Sequence, residues 1–258
     1  MSAIPPRPDG IHGGAIPPAS TGPEPSQRPT WGIGEALAAY VLAFALAAIA
    51  SVPLFAVIGT SDTAAVGANV AVAGVVAGAL VLWLRLRHPG WVAAVGLRAP
   101  RALRDLAVGF GFGLVVYPAV AFVVASSFGF LLQRVTGAPV QTPEQVPTDL
   151  PVLGTVFVAV YALLIAPVAE EFFFRGILFS AARARLGLWA GALVSGVAFG
   201  LIHYVPAAWP SAVLLMAVMV PTGMAFAWIR ARRGSLYASI GAHVAFNVIG
   251  LILIYASR

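Results

Sequence analysis

The stretch PVLGTVFVAVYALLIAPVAEEFFFR, residues 151–175, runs from Pro151 to Ala169 without a charge and then sets two adjacent carboxylates, Glu170 and Glu171, ahead of Arg175. Nineteen uncharged residues in a row read as a membrane helix. An ionisable group at bilayer depth costs at least ~2.5 kcal/mol on insertion scales, and such groups mark functional sites. The stretch therefore places the chain in a membrane and points to chemistry or transport at its acidic end.

Composition extends that reading to the whole chain. The 258 residues are 60% hydrophobic and 9% charged, with a mean hydropathy of +0.93, against roughly a quarter charged residues in soluble domains. The fold class is all-α, a polytopic membrane helix bundle. The 15 basic residues are all arginine and outnumber 9 acids. They fall in short clusters between apolar runs, where they act as topology determinants and argue against nucleic-acid binding. The absence of cysteine removes a disulfide framework, a thiol nucleophile and any Cys-ligated metal site. A chain rich in Ala, Gly and Arg and free of Lys points to a GC-rich, bacterial source.

Working outward from the acidic pair, uncharged runs long enough to cross a bilayer can be counted as spans. Residues 1–33 form a Pro- and Gly-rich tail, expected to be disordered because it cannot bury enough apolar surface to offset ordering entropy. It lacks the pattern of a secretory signal peptide, and His12 within it is read as inert. The membrane domain is assigned to residues 34–258, with its chemistry within about 150–250. Seven spans are expected: Ala36–Ile58, Ala64–Leu84, Leu106–Leu132, Pro151–Ala169 with an extension to Arg183, Leu186–Tyr204, Ala207–Ile229 and Ser235–Tyr255. An added interfacial helix would bring the count to eight. A Gly59-Thr60-Ser61-Asp62 turn joins the first two, Pro118 is expected to kink the third, and Pro206 to stop the fifth. With the N-terminus cytoplasmic in a plasma membrane, 13 of the 15 arginines lie inside and only Arg134 and Arg258 outside. No internal repeat suggests an inverted-repeat transporter.

The late spans hold an unusual set of polar side chains: Glu170, Glu171, Arg175, His203, His243 and Asn247. Glu171 and Arg175 are four apart with the acid first, the favoured orientation for a helical ion pair. Glu170 is rotated ~100° from Glu171, so one carboxylate can be paired while its neighbour faces the bundle. His243 and Asn247 share a face, as do Phe199 and His203. An interfacial charge cluster would explain the glutamates alone, but not two histidines and an asparagine in the same helices. Asn69, a lone polar group in the second span, is read as an interhelical hydrogen-bonding residue.

Peptide hydrolysis needs a base for water, donors for the developing oxyanion and an acid for the leaving amine, and this set contains candidates for each. Other membrane-protease chemistries lack their residues. Ser195-Gly196 follows Leu193-Val194 rather than Gly-x, no two aspartates lie within spans, and there is no His-Glu-x-x-His. A proton- or cation-coupled carrier uses similar buried groups, and a non-catalytic immunity or scaffold protein is the remaining alternative.

Glu170-Glu171-x-x-x-Arg175, Phe199-x-x-x-His203 and His243-x-x-x-Asn247, in that order on three apolar segments, resemble the motifs of the CAAX protease and bacteriocin-processing (CPBP, Abi) family. The resemblance implies a glutamate-dependent intramembrane endopeptidase, often described as a metalloprotease. It implies Glu170 as the base, His203 as its partner in activating water, and His243 with Asn247 as oxyanion-stabilising or metal-coordinating groups. Glu171, Arg175 and Phe199 would support them. A divalent metal such as zinc would be held by Glu170, His203 and His243. The substrate would be a leader peptide or membrane protein met within the lipid bilayer.

Overall fold

The computed structural model describes residues 28–58, 62–143, 145–147 and 149–256, and every regular element among them is helical. Residues 1–27 of the tail, His12 among them, and the Gly59-Thr60-Ser61 part of the first turn fall outside these residues; residues 28–33, read as disordered tail, are instead ordered, with Trp31 buried. Six long helices follow in order: α1 (Ile33–Ile58), α2 (Asp62–Arg87), α3 (Ala102–Thr136), α4 (Val152–Ile202), α5 (Trp209–Arg233) and α6 (Leu236–Ala256). Each contains a segment long and apolar enough to cross a membrane. Large apolar side chains face outward along them, with Leu42 69%, Ile49 71% and Phe122 77% exposed. A surface of that kind fits lipid and not water.

The expected seven spans become six helices because the fourth and fifth are joined. Helix α4 runs for 51 residues, which at 1.5 Å each is about 76 Å, more than twice the ~30 Å apolar core. It doubles back instead. Gly187 takes φ 81°, ψ −178°, a left-handed conformation open to glycine at little cost. Beyond it the chain returns along itself, so that Ser195 Oγ donates to the Phe174 carbonyl at 2.9 Å. A Cβ on Gly191 would stand 2.7 Å from the Arg183 nitrogen, so only glycine permits the arms to lie this close. The arms, 152–186 and 188–202, make two passes. The second pass ends at Ile202, with His203 as its C-cap. Its final amides turn onto Gly200 and Leu201 carbonyls, and Pro206, three residues past the C-cap, has no amide to offer the Ile202 carbonyl.

Pro118 is followed by a wide π turn, Val120–Ala125, inside α3. A proline removes one backbone donor and crowds the preceding turn, and a π turn is one way to accommodate that. On the tail side of the boundary read from sequence, Trp31 is 1% exposed. Its Nε1–H donates to the Ile177 carbonyl at 3.0 Å, and its ring meets Trp83 and His88 edge-on. His88 bridges Thr30 and Glu35 through its two ring nitrogens, at 2.9 and 3.1 Å. The start of α1 is thereby tied to the end of α2 and to the first arm of α4.

Helices α3 and α6 meet backbone to backbone. A Cβ on Gly109 or Gly113 would overlap the carbonyls of Ala238 or Ala242, and one on Gly241 would overlap the Leu106 carbonyl. Gly111 points away, with nothing within 4 Å. Gly109→Ala or Gly113→Ala should therefore push the two helices apart and lower the detergent-phase melting temperature, at a cost of about 1–3 kcal/mol. Gly111→Ala should leave it unchanged or raise it, since alanine favours an open helix position by about 0.5–1 kcal/mol. Thermal unfolding of the three variants checks the seam, and equal effects at all three positions would contradict it.

Candidate active site

The acidic pair sits on an interrupted helix. Two π turns, Tyr161–Ile165 and Phe172–Leu178, flank a six-residue α segment, Ala166–Glu171. Pro167 supplies the cause of the first. In the π pattern the Ala166 amide bonds the Tyr161 carbonyl. The next donor would belong to residue 167, and proline has none. The Ala162 carbonyl is left over, and Asn247 Nδ2 from α6 donates to it at 2.7 Å. Asn247 thus uses one amide hydrogen to brace the turn that aims the glutamates.

The two carboxylates stand in opposite environments. Glu171 is fully buried, and its Oε1 accepts from Arg175 Nη1 at 2.7 Å and His243 Nδ1 at 2.9 Å. Arg175 is equally buried and lies among rings, its Cζ 4.2 Å from the Phe199 centroid, 5.2 Å from Phe226 and 5.9 Å from Phe174. Cation–π attraction strengthens when the guanidinium is desolvated, as here. The room for it comes from Gly223, where a Cβ would stand 3.0 Å from Arg175 Nη2.

Glu170 faces the other way. It lines a cavity of about 640 Å³ together with Tyr161, His203, Thr222, His243 and Asn247. Its Oε2 lies 3.9 Å from His243 Nε2, beyond hydrogen-bond reach but within the span of one bridging water. The cavity runs from this floor to Thr142, Gln145 and Ile254, at the end of the bundle away from the arginine clusters.

Ring-nitrogen partners fix the histidine tautomers. His203 Nδ1 is 2.7 Å from the Phe199 carbonyl. A carbonyl only accepts, so Nδ1 carries a proton and the neutral ring keeps Nε2 as its free acceptor. His243 Nδ1 likewise donates to Glu171, leaving Nε2 turned toward Glu170. Phe199 packs 4.5 Å from His203 and 5.7 Å from His243, centroid to centroid. Counted along straight spans, the histidines lie at unequal depths. The short second arm of α4 and its glycines bring both to one cavity: Gly196 and Gly200 leave no room for a Cβ against the α5 backbone.

The donors do not converge as a metal site. Among the described residues, no group of three His, Cys, Asp or Glu side chains is placed to hold an ion. Glu170, His203 and His243 share the cavity without forming such a set.

Two residues of the site escaped the sequence reading. Tyr161 lines the cavity, and both it and Tyr40 from α1 stand close enough to Glu170 to interact electrostatically. Tyr161 is the one polar-tipped ring in the 151–169 run, which was the available signal. Asn69, read as an interhelical hydrogen-bonding residue, instead lies on the cavity wall.

Residues 152–249 match the family model described as Type II CAAX prenyl endopeptidase Rce1-like, a family of proteases. The matched segment holds α4, α5 and most of α6, and with them Glu170, Glu171, Arg175, His203, His243 and Asn247. No curated protein and no solved structure matches the chain. Residues 152–249 are accordingly similar to the Rce1-like family, in line with the CAAX protease and bacteriocin-processing family that the three motifs resemble.

Proposed function

We propose that the protein is an intramembrane endopeptidase in which Glu170 activates water for attack on a peptide bond. The observation that carries this reading is the contrast between neighbours: Glu171 is fully buried and held through Oε1 by Arg175 and His243, while the Glu170 side chain is 24% exposed and lines the cavity. Water held between Glu170 Oε2 and His243 Nε2 gives a proton to Glu170 as its oxygen bonds to the scissile carbonyl carbon. The carbonyl π electrons move onto oxygen. Donors for that oxyanion are the second Nδ2 hydrogen of Asn247 and the Tyr161 hydroxyl, both on the cavity wall. As the tetrahedral centre collapses, the C–N bond breaks and Glu170 returns its proton to the leaving amine. Glu171 acts through His243, fixing its tautomer and ring plane, and is a positioning residue. His203 presents its free Nε2 to the same space, as a second acceptor for the water. No step is routed through a metal ion.

The substrate is a peptide segment of a membrane protein or a membrane-bound leader. The cavity reaches Thr142, Pro143, Gln145 and Val146, and the arginine distribution supports an orientation in which these residues face away from the cytoplasm across a plasma membrane, with the N-terminus inside. Substrate then enters from the arginine-poor face.

Glu170→Gln should lower cleavage of a co-expressed membrane substrate by about 10²-fold or more, the usual worth of a general base, with membrane insertion intact. Undiminished cleavage would sink the assignment. Glu171→Gln should lower kcat and leave KM near its original value in the folded protein, since it disturbs His243 rather than the substrate pocket, and it should also lower the melting temperature because Arg175 loses its buried partner. Arg175→Met should lower the melting temperature, because removing one partner of a buried ion pair costs about 3–5 kcal/mol. The native chain has no cysteine, so single cysteines report topology directly. Ala138→Cys should react with an impermeant maleimide on intact cells, and Ala184→Cys only after permeabilisation. The opposite labelling pattern would invert the orientation.

A further inference from the structure

At the arginine-rich end of the bundle, three buried donors converge without an acceptor. Arg230 is 4% exposed, and its Nε has no hydrogen-bond partner. Its Nη2 reaches the Ala94 carbonyl at 3.3 Å, an oxygen already taken by Ser180 Oγ at 3.0 Å. Arg183 stands close enough to repel Arg230, and its Nε is buried and unpaired as well. Ser235, 1% exposed, has an Oγ with no partner. Arg230 and the backbone beside Ser235 meet the Trp91–Gly96 turn. Leu236, next to Ser235, donates its amide to the Gly96 carbonyl at 2.9 Å. Gly96 takes φ +86°, and the Arg230 guanidinium occupies the space that a Cβ there would need. The turn is built around the arginine.

The nearby acid is committed elsewhere. Asp105 accepts from Arg233 through Nε at 2.9 Å and Nη2 at 2.5 Å. Among the described residues, no carboxylate pairs with Arg183 or Arg230. Two adjacent guanidinium groups in a low-dielectric setting repel each other and leave donors unmet, and an oxyanion between them would relieve both costs. Arginine forks match the paired oxygens of phosphate. Arg230 lies three residues before the end of α5 and Arg183 four before the turn at Gly187. Both therefore sit about one helical turn inside the helix ends, at the level of lipid headgroups.

We propose that Arg183, Arg230 and Ser235 form a binding site for the phosphate group of an anionic phospholipid. Arg230 provides the floor of the site and half-buried Arg183 its rim, where the headgroup enters. The site lies on the opposite end of the bundle from the cavity mouth, and the proposal does not depend on the protease reading.

Full-length protein in detergent, stripped of lipid, provides the test. Dioleoylphosphatidylglycerol should raise the melting temperature, and dioleoylglycerol, which has the same tails and no phosphate, should not. Apparent affinity measured by native mass spectrometry should fall about tenfold or more in Arg230→Gln. Arg183→Gln, at the half-exposed rim and less disruptive to folding, should show a fall of similar size. Arg98→Gln, exposed at the same end, should change affinity by less than about twofold. Equal losses at Arg98 and at the two site arginines would reduce the effect to general surface charge and overturn the site. Absence of response to both phosphatidylglycerol and inorganic phosphate would overturn it as well. A response to inorganic phosphate that requires Arg230, with no preference for phosphatidylglycerol over dioleoylglycerol, would keep the oxyanion site and overturn the lipid.

Discussion

A carboxylate walled off from both water and cavity needs fixed partners, and Glu171 has two, Arg175 and His243. Much of the surrounding packing follows from lodging that cluster. Arg175 brings a desolvated guanidinium with it, and Phe174, Phe199 and Phe226 cover the faces that water would otherwise hold. Three rings around a guanidinium need space, and Gly196 and Gly223 provide it by letting α5 and the second arm of α4 approach at backbone distance. The close approach in turn requires the α4 hairpin, and the hairpin requires Gly187. An electrostatic demand at one residue thus propagates into the path of the chain.

The same cluster orients the chemistry. Glu171 and Phe199, neither of which reaches the cavity with a free polar group, determine which nitrogen each histidine offers to it. This follows from acceptor chemistry: a carbonyl and a paired carboxylate both demand a proton on Nδ1. The two rings therefore both turn their Nε2 atoms toward the cavity without any rearrangement.

Spacing alone made the main side-chain pairings legible. Glu171 with Arg175 and Phe199 with His203 are four residues apart, and each makes contact. Apolar run length gave the class of fold and nearly all the passes. What the sequence concealed were departures from uniform α geometry. Arg183 and Arg185 marked where residues 151–204 divide into two spans, but that the division is a left-handed turn within one continuous helix was not visible, since Gly187 carries no local mark that separates it from the other 26 glycines. The π turns were hidden for a related reason. Pro167 advertises a missing donor, but whether the freed carbonyl is met by a wider turn or by a side chain from elsewhere depends on α6, about 80 residues away. Asn247 was legible as a polar residue on the face of His243, and its bond to Ala162 was not. Trp31, in a segment whose composition resembles the tail, is held by Ile177, Trp83 and His88, contacts that no window along the chain can register.

The interrupted helix also explains why two glutamates occupy adjacent positions. A single carboxylate cannot both hold His243 from within the aromatic box and meet water in the cavity, because the first task requires full burial beside Arg175 and the second an open wall. Adjacent residues on a helix diverge by ~100°, so one can point into the aromatic box while the other enters the cavity. The short α segment between two π turns sets where that divergence falls, and the Asn247–Ala162 bond fixes it against rotation. Displacing the pair by one residue would put a carboxylate among the rings without Arg175 four residues ahead of it, at the cost of an unpaired buried charge. The order Glu-Glu-x-x-x-Arg is therefore constrained by geometry at both ends: the arginine fixes which glutamate is buried, and the turn that follows from Pro167 fixes where the other one points.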